Sequence, residues 1–258
     1  MGTRLAGKVA IVTGAGSAED GIGNGRAAAI LFAREGAKVL LVDRKPELAE
    51  RTREMIAAEG GEAAAFAADV TREEDCAAMV QATVERWGRL DILQNNVGIG
   101  GPGRVTEIDE HAWERVMRIN VTAMMLAAKH AVPAMIESGG GAIVNVSSIA
   151  AVRPWRMTPY ATSKGAVEAL RRGLAADYAR DGIRVNCIEP GMMYTPLVYA
   201  GGRMSAEERE RRRKAAPLGI EGTGWDVGYA SLFLVSDGAK FITGVVLPVD
   251  GGALLTVR

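Results

Sequence analysis

Short apolar runs rich in β-branched residues alternate with segments of helical periodicity along the chain, and this alternation constrains the fold more than any other feature. KVAIVT (8–13) is the first run, and a glycine-rich turn follows it. GRAAAILFAREGA (25–37) then places apolar residues at helical spacing and ends near Gly36, a residue suited to a helix C-terminus. KVLLVD (38–43) reads as a second strand, and helices near 46–59 and 72–87 flank the strand AAAFAAD. LDILQNN, a long helical region near 109–137, AIVNVSS and a helix near 159–180 continue the series. IRVNCI, a helix near 226–236 and GVVLPVD complete it. The strand segments are continuous apolar runs, as expected of strands covered on both faces in a parallel sheet. The pattern predicts an α/β fold: a Rossmann-type doubly wound parallel sheet of about seven strands, with helices on both faces. No Pro/Ser-rich linker or internal repeat divides the chain, so residues 1–258 are expected to form a single domain.

Composition narrows the partners. Lysine plus arginine equals aspartate plus glutamate at 31 each, so net charge gives no reason to expect nucleic acid or an anionic membrane. Two cysteines, Cys76 and Cys187, make no disulfide framework and read as free thiols, one in a helix and one in a buried strand. MGTRLAGKVAIVTG lacks the apolar core of a signal peptide, Ala6 breaks the myristoylation pattern, and no uninterrupted apolar run reaches membrane-spanning length. A cytoplasmic location is expected. In MSAEERERRRKAA (204–216), Glu207–Arg211, Glu208–Arg212 and Glu210–Lys214 fall at i,i+4 in the favourable orientation for a solvated helix. Its place between the last two strands makes 197–216 a candidate lid.

The turn TGAGSAEDGIGNG (13–25) carries the first chemical signal. Strand, glycine-rich turn and helix is the context of a pyrophosphate site: N–H groups at the helix start face the anion, and glycine lets the backbone approach. Yet no register of these glycines supplies G-x-G-x-x-G. A cradle in two halves reconciles the two observations, with Ala18-Glu19-Asp20 inserted between TGAGS and GIGNG and bulging outward. Asp43 closes the second strand twenty residues after Gly23, where an acid meets the adenosine ribose hydroxyls and repels a 2′-phosphate. NAD is therefore favoured over NADP, although Arg44 is placed to hold a 2′-phosphate. A turn or helix-cap role is the plainer alternative for Asp43.

Tyr160 and Lys164 in PYATSK stand at i and i+4 on one face of a predicted helix. A phenol titrates near ~10, an adjacent ammonium favours the phenolate, and each pKa unit corresponds to about 1.4 kcal/mol. A tyrosine tuned this way suits acid/base chemistry between an alcohol and a carbonyl. Around this pair the chain resembles the short-chain dehydrogenase/reductase family, in its short single-domain branch, over nearly its whole length. The motifs are the Thr13-Gly14…Gly21-Ile22-Gly23 loop, AADV with Asp69, NNVG (95–98), VNVSS (144–148) and YATSK (160–164). NCIEPGMMYTP (186–196) and ITGVVLPVDGG (242–252) complete the set in the family's order.

The resemblance implies a role for each matching residue. Tyr160 is the acid/base, Lys164 lowers its pKa and binds the nicotinamide ribose, and Ser148 hydrogen-bonds the substrate oxygen. Asn120, in RINVTAM, holds a water linking Lys164 to solvent. Gly14, Gly21, Ile22 and Gly23 form the pyrophosphate loop. Asp69 and Val70 contact adenine, Asn96 and Gly98 border the adenosine side, and Pro190, Gly191 and Thr195 contact the nicotinamide end. Three departures stand out. The glycine loop is longer than the family's, NNVG replaces the commoner NNAG, and Ser148 lies one residue closer to Tyr160 than usual. Ser147 keeps the usual separation and is the alternative, because neighbours in a strand face opposite sides.

The expected reaction is reversible hydride transfer between NAD and the secondary alcohol carbon of a small molecule, giving a ketone. Gly100-Gly101-Pro102, VRPWRM (152–157) and MMYTPLVY (192–199) should wall the pocket, with Trp155, Met192, Met193 and Tyr194 forming an apolar slot. Arg153 and Arg156 can clamp a carboxylate or phosphate; solvent exposure or a subunit contact is favoured for both. His111 and His130 lie outside the motifs, and no His/Cys/acid cluster has metal-ligand spacing. A homo-oligomer, a tetramer, is implied by the resemblance alone, and the apolar GGALLTV near the C-terminus would support it. Two other readings stay open: a nucleotide-sensing regulator without turnover, and an enoyl reductase, whose branch also has a longer glycine loop but spaces tyrosine and lysine more widely.

Overall fold

The apolar runs become strands almost where the pattern sets them. In the computed structural model, which describes residues 2–18, 21–199 and 204–256, the chain begins β1 (Val9–Thr13), α1 (Asn24–Arg34), β2 (Lys38–Asp43), α2 (Pro46–Ala58) and β3 (Ala63–Ala67). It continues through α3 (Glu73–Trp87), β4 (Ile92–Asn95), α4 (Glu110–Met117), α5 (Ala123–Glu137), β5 (Gly141–Val146) and α6 (Thr158–Tyr178). β6 (Ile183–Pro190), β7 (Met193–Tyr194), α7 (Pro196–Tyr199), α8 (Ala206–Lys214), β8 (Gly222–Thr223), α9 (Gly224–Val235) and β9 (Val246–Val249) follow. One parallel sheet runs β3-β2-β1-β4-β5-β6-β9, and β7 and β8 form a separate pair. Val9 lies opposite Lys38, Ala10 opposite Ile92, and Asn145 opposite Cys187. Strand order reverses between β1 and β4, so the C-terminal ends of these two strands open a crevice, the usual ligand position in such sheets.

Side-chain alternation divides the core between the two faces. Ala10 and Val12 join the buried side of α1, α2 and α9, whereas Ile11, Leu40 and Val42 pack with Cys76 and Met79 of α3 and Leu126 of α5. Both cysteines are buried free thiols, in the helix and the strand expected of them. Small residues bring α1 and α9 close. A Cβ on Gly228 would stand 2.9 Å from Leu31 Cδ1, with Ala27 beside it. Gly36 follows the end of α1 at φ +93°, where glycine carries no Cβ penalty.

Two sequence expectations change. The helical region 109–137 is broken by a π-helical turn, Arg118–Thr122, between α4 and α5. This turn sets Asn120 against the backbone of Ile99, a pairing described below. The helical stretch Glu110–Glu137 has the length and mean hydropathy (1.3) of a membrane span, but 56% of its apolar window is buried inside the protein, as in a core helix. In α8 only Glu210–Lys214 of the three expected pairs is recorded, at 3.2 Å; Glu208 pairs with Arg211 at i,i+3 instead. Arg212 turns inward toward the Met193 carbonyl at 3.4 Å, away from an exposed partner. Glu19 and Asp20 of the insertion, and 200–203 of the expected lid, lie outside the described residues.

Candidate active site

β5 delivers two serines into different surroundings. Ser147 is buried and donates to Glu168 Oε1 at 2.8 Å, with the Lys164 carbonyl at 3.1 Å. It therefore faces the body of α6. Ser148 is half-open, accepts from the Ala150 N–H at 3.2 Å and stands close enough to Tyr160 to act on its titration. Of the two candidates, Ser148 is the one that the structure brings to Tyr160.

Tyr160 and Lys164 share a face of α6 as their spacing predicts, with Lys164 Nζ 5.6 Å from the Tyr160 ring centroid. Lys164 is buried and donates to the Val146 carbonyl at 2.8 Å. Burial pulls its ammonium down to about 8. Burial likewise pushes the Tyr160 hydroxyl above its ordinary range, and the Ser148 side chain works in the opposite direction. This differs from the expected lysine-lowered phenol: in the protein alone desolvation dominates, and Lys164 is directed at a backbone carbonyl.

Asn120 completes this end of the site from the π-helical turn. Its Oδ1 accepts from the Ile99 N–H at 2.8 Å, and Nδ2 donates to the Ile99 carbonyl at 3.0 Å and Ser163 Oγ at 2.9 Å. A short π segment at a functional position is a recurrent device, and here it ties α4–α5 to the loop after β4 and to α6. Gly98 lies where the two groups meet: a Cβ there would be 3.3 Å from Lys164 Nζ and 3.4 Å from Asn120 Oδ1.

The glycine loop crosses the crevice. Gly14 has φ +63°, and its carbonyl accepts from Asn96 Nδ2 at 3.1 Å. Gly23 is the N-cap of α1 and offers no side-chain acceptor, and the first turn of α1 carries no acid, which leaves its N–H groups suited to an anion. Asp43 Oδ2 accepts from the Gly16 N–H at 3.0 Å and Oδ1 from the Lys45 N–H at 3.0 Å. The carboxylate is thus fixed at the β2 end against the loop. The cap-like and ribose-facing readings of Asp43 are compatible in this geometry. Gly21 is pressed by α7, since a Cβ would stand 2.3 Å from Pro196 Cγ. Ile22 packs against the core beside α9. This uncapped helix start, glycine-lined turn and strand-end acid fit a dinucleotide.

Asp69 and Val70 follow β3 and Pro190 and Gly191 close β6, at the same edge of the parallel sheet as the glycine loop. Asp69 accepts from the Thr71 N–H and hydroxyl. Burial works to raise its pKa, but these bonds and the Arg44 and Arg72 charges hold it below the ordinary range. Val70 is buried beside it. Gly191 passes so close to Asp250 that a Cβ would lie 2.7 Å from Asp250 Cα, fixing the turn after Pro190. The Thr195 carbonyl receives the Val198 and Tyr199 N–H groups and starts α7.

The expected substrate wall is only partly open. Tyr194 stacks on Tyr199 at 4.5 Å and carries the Arg209 guanidinium 3.8 Å from its centroid, so its ring is engaged between α7 and α8. Met193 is buried in the core, whereas Met192 is partly exposed and Trp155 is 76% exposed. Arg153 bonds the Ala253 carbonyl and Thr256 Oγ1, and Arg156 pairs with Glu107 at 3.4 Å. Both arginines thus have protein partners. His111 is exposed, and His130 lies 3.4 Å from Glu73. Sequence reasoning missed Gly25, whose Cβ would meet the Gly14 carbonyl at 2.2 Å, and Arg26, fully buried under the glycine loop. The one available signal for Arg26 was a charge inside the apolar face of GRAAAILF.

This geometry has close counterparts. The chain matches the family model described as enoyl-(acyl carrier protein) reductase over residues 16–253. It is 41% identical over 256 residues to 2-(S)-hydroxypropyl-CoM dehydrogenase 3 of Xanthobacter autotrophicus, covering 98% of each chain. A Burkholderia xenovorans crystal structure described as a short-chain dehydrogenase/reductase superposes with TM-score 0.93 and 39% identity, covering 99% of this chain and 100% of that one. A 7α-hydroxysteroid dehydrogenase complexed with NADH and 7-oxo glycochenodeoxycholic acid superposes with TM-score 0.90 and 34% identity, covering 96% and 95%.

Proposed function

This chain belongs to the short-chain dehydrogenase/reductase family, and from that premise we propose that Ser148, Tyr160 and Lys164 interconvert a secondary alcohol and a ketone with NAD. The relatives support the reaction class: they include a hydroxypropyl-CoM dehydrogenase and a hydroxysteroid dehydrogenase bound to NADH and an oxo-steroid. The chain is accordingly an NAD(P)-dependent oxidoreductase of CH–OH groups in small molecules. The observation that carries the residue assignment is Lys164 Nζ 5.6 Å from the Tyr160 ring on one face of α6, with Ser147 turned to Glu168 and Ser148 left open toward Tyr160.

When bound, the nicotinamide accepts or supplies the hydride. Ser148 Oγ and Tyr160 Oη hold the substrate oxygen between them. In oxidation Tyr160 Oη takes the hydroxyl proton, and in reduction it returns that proton. Lys164 stands near enough to stabilise negative charge on the phenolate, and Asn120 fixes the loop and helix around it. Asp43, pre-positioned by the Gly16 N–H, supports NAD over NADP because a second anion there would be repelled. Asp69, Val70, Asn96, Gly98, Pro190, Gly191 and Thr195 line the remaining length of this binding crevice. The family model's description names carbon–carbon double-bond reduction. The i,i+4 pair of Tyr160 and Lys164 supports carbinol chemistry instead.

The chain acts as one catalytic unit with α7 and α8 as its lid, and it assembles as a homotetramer. Support for assembly comes from the exposed Tyr229 and Phe233 on α9 and the fully exposed Phe241. Formation of reduced nicotinamide, followed with NAD and NADP in parallel across secondary alcohols, diols, hydroxy acids, sterols and sugars, tests the reaction. NADH formation with one alcohol class is expected. Silence with every class despite NADH binding would favour nucleotide sensing.

A further inference from the structure

Ser17 and Gly21 of the glycine loop rest on a buried cation. Arg26, in the first turn of α1, has no exposed surface. Its Nη1 donates to the Gly21 carbonyl at 2.7 Å and its Nη2 to the Ser17 carbonyl at 3.0 Å. Its Nε donates to Thr52 Oγ1 on α2 at 2.9 Å, and Thr52 Oγ1 donates to the Ala15 carbonyl at 2.8 Å. The residues flanking Ala18–Asp20 are therefore tied to one planar guanidinium, which is tied in turn to the neighbouring helix. Such a fork suits several fixed acceptors at once, where an ammonium cannot span them in one plane.

One consequence follows from peptide geometry. In a trans peptide the C=O and the following N–H point in opposite directions. Turning the Ser17 and Gly21 carbonyls inward to Arg26 therefore turns the Ala18 and Ile22 N–H groups away from it. We infer that Arg26 is a positioning residue for the diphosphate of the bound dinucleotide, shaping the lengthened loop so that its N–H groups face the ligand. This rests on the proposed assignment of the loop to cofactor binding.

The test is direct binding of NADH, ADP and adenosine to the wild-type chain, Arg26→Met and Thr52→Val, with circular dichroism as the check on folding. Losing hydrogen bonds from a charged group should weaken NADH and ADP by about tenfold or more in Arg26→Met, and less in Thr52→Val. Adenosine, which lacks phosphate, should bind all three alike. KM for the cofactor should rise with Kd while kcat changes much less. A folded Arg26→Met with unchanged ADP affinity, or with equal losses for ADP and adenosine, would overturn the inference. If Arg26→Met does not fold, Thr52→Val decides by the same ADP-to-adenosine comparison. A wild-type chain that binds neither NADH nor ADP would instead overturn the proposed function.

Discussion

Ser147 and Ser148 are chemically the same residue in different environments, and their surroundings separate their consequences. Ser148→Ala removes the hydroxyl beside Tyr160 and should lower kcat by about 100-fold, the scale of one lost transition-state hydrogen bond. Ser147→Ala removes the donor to Glu168 and should cost about 1–2 kcal/mol of stability with a far smaller loss of turnover. The reverse ranking in steady-state rates would reassign the pair. Glu189 gives a second test at this scale. Burial first, then the hydrogen bond and charge of Glu168 and the charge of Asp250, raise its carboxyl from 4.5 to about 7. The folded state holds this proton more tightly than the unfolded chain. Its contribution to stability is therefore full below about 4.5 and is lost as pH rises through about 7. The melting temperature should fall across that window, and Glu189→Gln should flatten the fall. An equal slope in both proteins would count against it.

At the scale of elements, backbone approach decides how much change the cofactor crevice tolerates. A Cβ on Gly25 would overlap the Gly14 carbonyl at 2.2 Å, and no rotamer change relieves a backbone contact. Gly25→Ala should destabilise the protein by about 2–4 kcal/mol and weaken NADH binding, measured by denaturation and fluorescence titration. Unchanged stability would show that β1 and α1 can separate without cost. Elements with clear periodicity were legible in sequence because burial imposes the period: β2 occupies the residues expected, and α6 starts within a residue of its expected start. β7 and β8 were not, since two residues carry no period. The π-helical turn was equally silent, because the Asn120–Ile99 bonds behind it are tertiary. Tyr194 reads as a pocket wall from its motif, but Tyr199 and Arg209 claim its ring, a choice that local sequence does not reveal.

For the whole molecule, the sheet reversal between β1 and β4 places the glycine loop, the Asp43 carboxylate and the Ser148–Tyr160–Lys164 group around one crevice. The proposed tetramer, implied by the family resemblance, predicts a solution mass of four times 27.2 kDa by light scattering, and a monomer mass would overturn it. The chemical claim is more direct. With NAD and a secondary alcohol that the wild-type chain oxidises, appearance of reduced nicotinamide should cease in Tyr160→Phe, while that variant still binds NADH as the wild type does. Turnover by Tyr160→Phe at the wild-type rate would contradict the account.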